Sequence, residues 1–451
     1  MFELLVIISR YFFVFYISYF LWQGIVYILI ERGMSNTNPS LPIKKQRLAI
    51  IFTHVKAFLI LAYAQSGQGE SFGVFNINTL MLGFLWLMFF LTFGYLVKSV
   101  YKNSCDLLWN GIFFLTSIGT IILQRLSPTL ASRQMLWLFL AFLVMLLIPF
   151  GIKTVRKLEE FELVYLFVGL VLLSSTIFFG VEMFGAERWL QIGSFRFQPS
   201  EPVTFLYIFY LATVFRKNLD FKGLIFPSAM AVLYVLILVY QRNLGSALIF
   251  FMTYMIMMYI STGRLLLFGA GMGLFALGSV FSYHVFSHVR IRVAIWQNPW
   301  VEPHGIGLQI IQSLFAVGTW GLFGSGLTRG VPGFVPVIER DLPFAAISEE
   351  FGAIFAFGLI GIYIMIFYRG VHIALRVRRR YHSLLAIGFT AALAFQTFLI
   401  IGGTIGFVPL TGVTLPFISY GGSSFVTSAM MIGIIQWIFA YYNKEDKGDE
   451  A

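Results

Sequence analysis

Four strings in the chain carry residue types that could do chemistry. Glu187-Arg188-Trp189-Leu190 leads into Gln198-Pro199-Ser200-Glu201, and Gln241-Arg242-Asn243-Leu244-Gly245 follows. A third block places Arg290 and Arg292 ahead of Gln309 and Gln312, then Glu339-Arg340-Asp341-Leu342-Pro343 and Ser348-Glu349-Glu350. The fourth runs from Pro409 through Pro416-Phe417-Ile418-Ser419-Tyr420-Gly421-Gly422 to Ser424. Carboxylates at the edge of an apolar segment are costly and read as functional by default. Asp341 stands at such an edge, where a raised pKa could make it a usable base. Arg188 beside Trp189 reads either as a belt residue on a phospholipid or as a site for an anionic headgroup. Ser200 and Glu201 also suit the start of a helix, as cap and as partner of its dipole. Asn243 and Gly245 suit a plain turn. Two prolines and paired glycines at 409–422 force an irregular backbone, tolerated at membrane depth only where protein or a water-filled cavity satisfies it.

Composition explains why membrane depth is the frame. Of 451 residues, 59% are hydrophobic and 11% charged, and Phe alone contributes 51. Soluble domains run near 45–50% and about 25%. Lipid must solvate the surplus, which excludes soluble enzymes, disordered chains and disulfide scaffolds. Cys105 is the single cysteine, so no intrachain disulfide forms. The net charge of +11 belongs to membrane flanks; no long basic run interleaves with aromatics, so no nucleic-acid partner is implied.

A hydrocarbon core of about 30 Å needs about 20 apolar residues per helix. Thirteen such stretches predict an all-α polytopic protein: 11–30, 48–64, 77–97, 106–123, 134–152, 163–180, 200–215, 224–241, 245–263, 265–286, 344–368, 384–407 and 423–442. One alternate set of connectors carries twenty Lys and Arg, the other nine. The richer set is expected to be cytoplasmic, which puts the C-terminus inside and the N-terminus outside. The segment 287–343 is then a large outer loop, with a glycine-broken apolar stretch, 305–327, that suits re-entrant or interfacial helices. The segments 181–199 and 406–424 are read as further outer loops.

These blocks, in this order, resemble the SEDS family of shape, elongation, division and sporulation proteins, the FtsW/RodA/SpoVE type. The resemblance rests on Arg188-Trp189, Gln198-Pro-Ser-Glu201, Gln309-Ile-Ile-Gln-Ser313, the Asp341…Glu349-Glu350-Phe-Gly352 block and 416–424. It covers roughly residues 106–442 and implies a ten-helix core at 105–443. A three-span extension would occupy 1–104 and a cytoplasmic tail 444–451. On composition alone, Lys56 and His54 should turn a face of that extension toward the core or a partner, and deletion of 1–104 should leave a folded core.

The resemblance implies a multi-pass peptidoglycan glycosyltransferase of the bacterial cytoplasmic membrane. It would polymerise lipid II, the undecaprenyl-diphosphate-linked disaccharide, at the outer face beside a single-span class B penicillin-binding transpeptidase. The family's essential aspartate falls on Asp341, the expected base. Arg188, Arg290 and Arg292 are the expected diphosphate contacts, and a divalent cation, Mg or Mn, could share that role without any metal-ligand motif in the chain. Trp189, Glu201, Gln309, Gln312, Glu349, Ser419, Gly421 and Gly422 complete the substrate-binding candidates. The chain departs from the family's pattern at Thr204, where a lysine is usual, at Asn243, where an aspartate is usual, and at Pro343. A non-catalytic scaffold and a lipid-precursor flippase are the alternative readings.

Overall fold

The computed structural model describes residues 2–35, 37–66, 71–72, 75–154, 157–183, 186–193, 195–217 and 219–448. The chain begins with α1 (Phe2–Glu31), α2 (Ser40–Ala64) and α3 (Ile77–Val100). It continues with α4 (Asp106–Leu126), α5 (Pro128–Thr154), α6 (Glu162–Phe179), α7 (Ser200–Phe215), α8 (Phe221–Tyr240), α9 (Leu244–Thr262) and α10 (Leu265–Val285). The large loop folds into α11 (Ser287–Gln297), α12 (Ile306–Thr319), the short α13 (Ile338–Asp341) and α14 (Pro343–Phe351). Helices α15 (Ala353–Arg376), α16 (Arg380–Thr404) and α17 (Gly422–Gly448) close the bundle. Among the described residues, twelve helices are long and apolar enough to cross a membrane. The thirteenth expected stretch is α7. Its 16 residues would reach only about 24 Å, but it is buried along most of its length, so neighbouring helices rather than lipid surround it.

Three features differ from the reading of the sequence. The stretch 344–368 is not one helix. Gly352 has φ 87°, and a Cβ there would run into the backbone of Phe323 and Gly324. The backbone therefore turns between α14 and α15 at a position that only glycine fits. The loop 181–199 holds three antiparallel strands, β3 (Val181–Met183), β4 (Ala186–Ile192) and β5 (Phe195–Phe197). Leu190 pairs with Phe197 and Ile192 with Phe195, with Gly193 turning at φ 62°. A smaller pair, β1 (Ser71–Phe72) and β2 (Phe75–Asn76), caps the α2–α3 connection.

The segment 406–421 is irregular, as two prolines and the glycines require, and its polar groups find protein partners. Leu415 N donates to Ser419 Oγ at 2.8 Å, Tyr363 Oη to Pro416 O at 2.6 Å, and Gln396 Nε2 to Thr414 O at 2.8 Å.

The N-terminal helices share the core of the rest. Buried side chains run continuously from Val6 and Phe13 to Ile438 and Tyr442. Helix α2 packs on α4, α1 on α15 and α3 on α5. Polar clamps join the two parts. His54 Nδ1 lies 2.9 Å from Ser117 Oγ, and Arg47 meets Asp106 at 2.8 Å. Arg369, 1% exposed, donates to Glu31 Oε1 at 2.9 Å and to Cys105 Sγ at 3.0 Å. Lys56 behaves otherwise: its ammonium sits 3.2 Å from the centre of the Phe12 ring, inside the extension. Breaking a buried pair from one side strands the other charge. Glu31→Gln is therefore expected to cost about 3 kcal/mol, read as a lower Tm in detergent. An unchanged Tm would show that the pair contributes nothing. By the same continuity, removal of 1–104 would bare the buried face of α4.

Candidate functional site

Asp341 ends α13 and faces a cavity of about 510 Å³. Local sequence sets its position. Val337, at φ 55°, turns the chain into α13. Pro343 then opens α14 at its first position, where the missing N–H is no loss. The proline that departs from the family's pattern is thus a helix start.

The cavity gathers residues from eight parts of the chain. Trp189 comes from β4, and Gln198 and Glu201 from the α7 start. Arg242 belongs to the α8–α9 turn, His288 and Arg292 to α11, Gln309 to α12, and Arg340 and Asp341 to α13. Tyr420, Gly421, Gly422, Ser423 and Ser424 close one wall with Trp137 and Thr414. Gly422 abuts the Trp137 ring so closely that a Cβ would overlap it. The Arg340 guanidinium lies 5.5 Å from the centre of the Tyr420 ring, and Tyr420 N donates to Glu339 O at 2.8 Å. This ties the glycine block to α13.

Of the residues singled out in the sequence, Asp341, Trp189, Glu201, Arg292, Gln309, Gly421 and Gly422 line this cavity. Arg188 stands in β4, but its side chain lies outside the described residues. Arg290 points elsewhere and donates to His284 O at 2.8 Å, capping α10. Gln312 does not line the cavity. Ser419 is buried in the turn it stabilises through Leu415 N.

Glu349 is also buried, and its Oε1 accepts from Val331 N at 2.7 Å. Its neighbour Glu350, fully buried, accepts from Arg125 Nε at 2.9 Å. Burial pushes the Glu350 carboxyl up to about 7, against the opposing pull of Arg125. Neither carboxylate lines the cavity; both bond to residues packed behind α14.

Arg242, His288, Arg340 and Tyr420 were not singled out as ligand residues. The His288 imidazole is held below its usual range, first by burial and then by Arg242 and Arg292, which marks this wall as cationic. At the two departures near α7, Thr204 Oγ1 donates to Ser200 O at 2.7 Å and Asn243 Nδ2 to Ser200 Oγ at 3.2 Å. Both uncharged replacements converge on Ser200, so no buried charge is left without its partner there.

A second, apolar groove of about 1050 Å³ runs along α8, α9 and α10. Helix α10 has no buried residue, so one wall of the groove is a helix that packs little against the rest of the bundle. Arg292 and Leu410 line both spaces, and Arg292 Nη1 donates to Leu410 O at 2.6 Å. The polar cavity therefore meets the apolar groove at a guanidinium. Among the described residues, no three His, Cys, Asp or Glu side chains gather as metal ligands.

Residues 99–444 match the family model described as "Cell cycle protein" for FtsW, RodA and SpoVE. The peptidoglycan glycosyltransferase RodA of Mycobacterium tuberculosis (strain ATCC 25618 / H37Rv) is 30% identical over 88% of this chain and 91% of its own length. Stage V sporulation protein E of Bacillus subtilis (strain 168) is 33% identical over 75% of this chain and 98% of its own. The mycobacterial match is longer than the family interval, so it runs into the N-terminal extension. A crystal structure of Thermus thermophilus RodA matches with a TM-score of 0.56 at 25% identity, over 75% of this chain and 97% of that one. A chain from a structure of a peptidoglycan synthase complex, described as coordinating polymerization and crosslinking, matches with a TM-score of 0.64 at 24% identity. It covers 75% of this chain and 98% of its own. With the family model covering most of its length and relatives aligned over the greater part of it, this multi-pass membrane chain belongs to the FtsW/RodA/SpoVE family of SEDS proteins.

Proposed function

We propose that the chain is a peptidoglycan glycosyltransferase that polymerises lipid II in the 510 Å³ cavity. The observation that carries this reading is Arg292 at the junction of the polar cavity and the apolar groove. A lipid-linked sugar has the same order of parts: sugar, diphosphate, prenyl chain. The groove takes the prenyl chain, whose alkane surface is favourably buried there. Arg292, with Arg242 on the same wall, neutralises the diphosphate. Trp189, Glu201 and Gln309 face the sugar side. In the transfer, a sugar hydroxyl of incoming lipid II attacks the anomeric carbon of the growing glycan. The C–O bond to the diphosphate breaks and its electron pair leaves with undecaprenyl diphosphate. The hydroxyl proton passes to the Asp341 carboxylate. Charge on the departing oxygen is met by arginine already in place.

Purified chain given lipid II, alone and with single-span class B transpeptidases as the partner class, is expected to yield glycan polymer. Absence of polymer in every combination would favour a scaffold. The outer face is the expected location, with the N-terminus outside and the C-terminus cytoplasmic. The twenty-to-nine division of cations supports this, as does the contact of Arg10, near the start of α1, with Gly324 of the large loop that carries Asp341. Cysteines placed at 70 and 40 are expected to label from outside and inside respectively; the reverse pattern would invert the site.

A further inference from the structure

Arg10 lies within the first membrane-spanning helix, a place where a guanidinium is costly unless the protein uses it. Its Nη1 donates to Gly324 O at 3.2 Å, far away in the sequence. That carbonyl belongs to a loop whose backbone is irregular, with Gly321, Gly324, Gly326 and Thr328 all at positive φ. The buried carbonyls of such irregular backbone need donors from elsewhere in the protein, and Arg10 supplies one. Three neighbours on α1 reinforce the grip. Tyr11 packs on Phe323 with ring centres 4.9 Å apart, Phe13 on Phe351 at 5.0 Å, and Val6 lies against Gly326.

The loop is in turn bonded to the helix that follows Asp341. Ser325 N donates to Glu349 O and Gly326 N to Glu350 O, each at 2.9 Å. Ala353 N and Ile354 N donate back to Gly321 O and Leu322 O, each at 3.1 Å. The last turn of α14 and the first of α15 are thus held by a loop that α1 holds.

We propose that the N-terminal extension is a brace for the outer site, with Arg10 as a positioning residue that fixes α14 and so the placement of Asp341. The inference rests on Asp341 being the proton acceptor. The extension then has a role in the reaction without touching substrate. A base displaced by about 1 Å can lose about 10²-fold in rate, so a loosened brace is expected to act on turnover rather than on binding.

The test compares full-length wild type, Arg10→Ala, Arg10→Lys and Phe12→Leu; Phe12 lies on α1 away from the loop, against Lys56. Two readouts are taken: amide hydrogen exchange of Ser325 and Gly326, and kcat and KM for lipid II polymerisation. Arg10→Ala is expected to exchange about tenfold faster at both amides. Its kcat should fall about tenfold with KM within about twofold. Arg10→Lys, which keeps a cationic donor, should recover part of both, and Phe12→Leu should match wild type. Unchanged exchange in Arg10→Ala overturns the brace whatever the rate. Faster exchange with unchanged kcat overturns the positioning role. If wild type makes no polymer, the functional reading fails, and the exchange readout still decides the brace.

Discussion

Asp341→Asn is expected to lower the rate of lipid II polymerisation by at least about 10²-fold, the share general-base assistance supplies. Asparagine keeps the size and hydrogen bonding of the side chain but takes no proton. Expression, folding and partner binding should therefore be preserved. The matched control is Glu339→Gln, two residues earlier on the same short helix α13. Glu339 is used through its backbone carbonyl, which accepts from Tyr420 N. Its side-chain change should be mild. Retention of more than about a tenth of the wild-type rate by Asp341→Asn would remove Asp341 from the role of base.

The second large effect is expected at Arg292. Arg292→Gln removes the charge at the mouth between cavity and groove, where the diphosphate is placed. Loss of one donor to a developing anion costs about 10²–10³-fold in kcat in comparable sites. Arg290→Gln is the contrast, since Arg290 caps α10 through Tyr283 O and His284 O instead of lining the cavity. Steady-state rates for the two variants should differ widely. Equal losses would mean that α11 as a whole, and not the Arg292 charge, is what matters.

Arg290 and Arg292 also show how far residues reveal a site. Both are arginines in one outer segment, and the sequence offered them together. Once α11 is known to be a helix, the ambiguity resolves, because residues two apart point about 200° away from each other. Read as part of a loop, the segment held no reason to apply that period. Glu349 does not line the cavity for a related reason. Its Oε1 accepts from the backbone N of Val331, an amide that only the folding of the loop brings to it.

Apolar stretches of about 20 residues were legible because lipid imposes their length. The break at Gly352 was not, since it depends on contact with Gly324. β3 and β5, three residues each, are too short for alternation to stand out. Arg242 and His288 were hidden in plain turns and loops, and only the folding of α9 and α11 against the 409–424 segment gives them a shared wall. The Pro409–Ser424 block, by contrast, was readable in outline: its two prolines and its glycines announced irregular backbone, and the structure supplies the partners that such backbone needs.

The central claim is the order of sugar, diphosphate and prenyl chain along one continuous path. The most direct measurement is an experimental structure of the full Asp341→Asn chain with lipid II bound. The expected result has the diphosphate against Arg292 and Arg242, the sugar beside the substituted side chain at position 341, and the prenyl chain along α8, α9 and α10. A lipid II molecule held elsewhere, with its diphosphate away from Arg292 and the groove empty, would contradict the account.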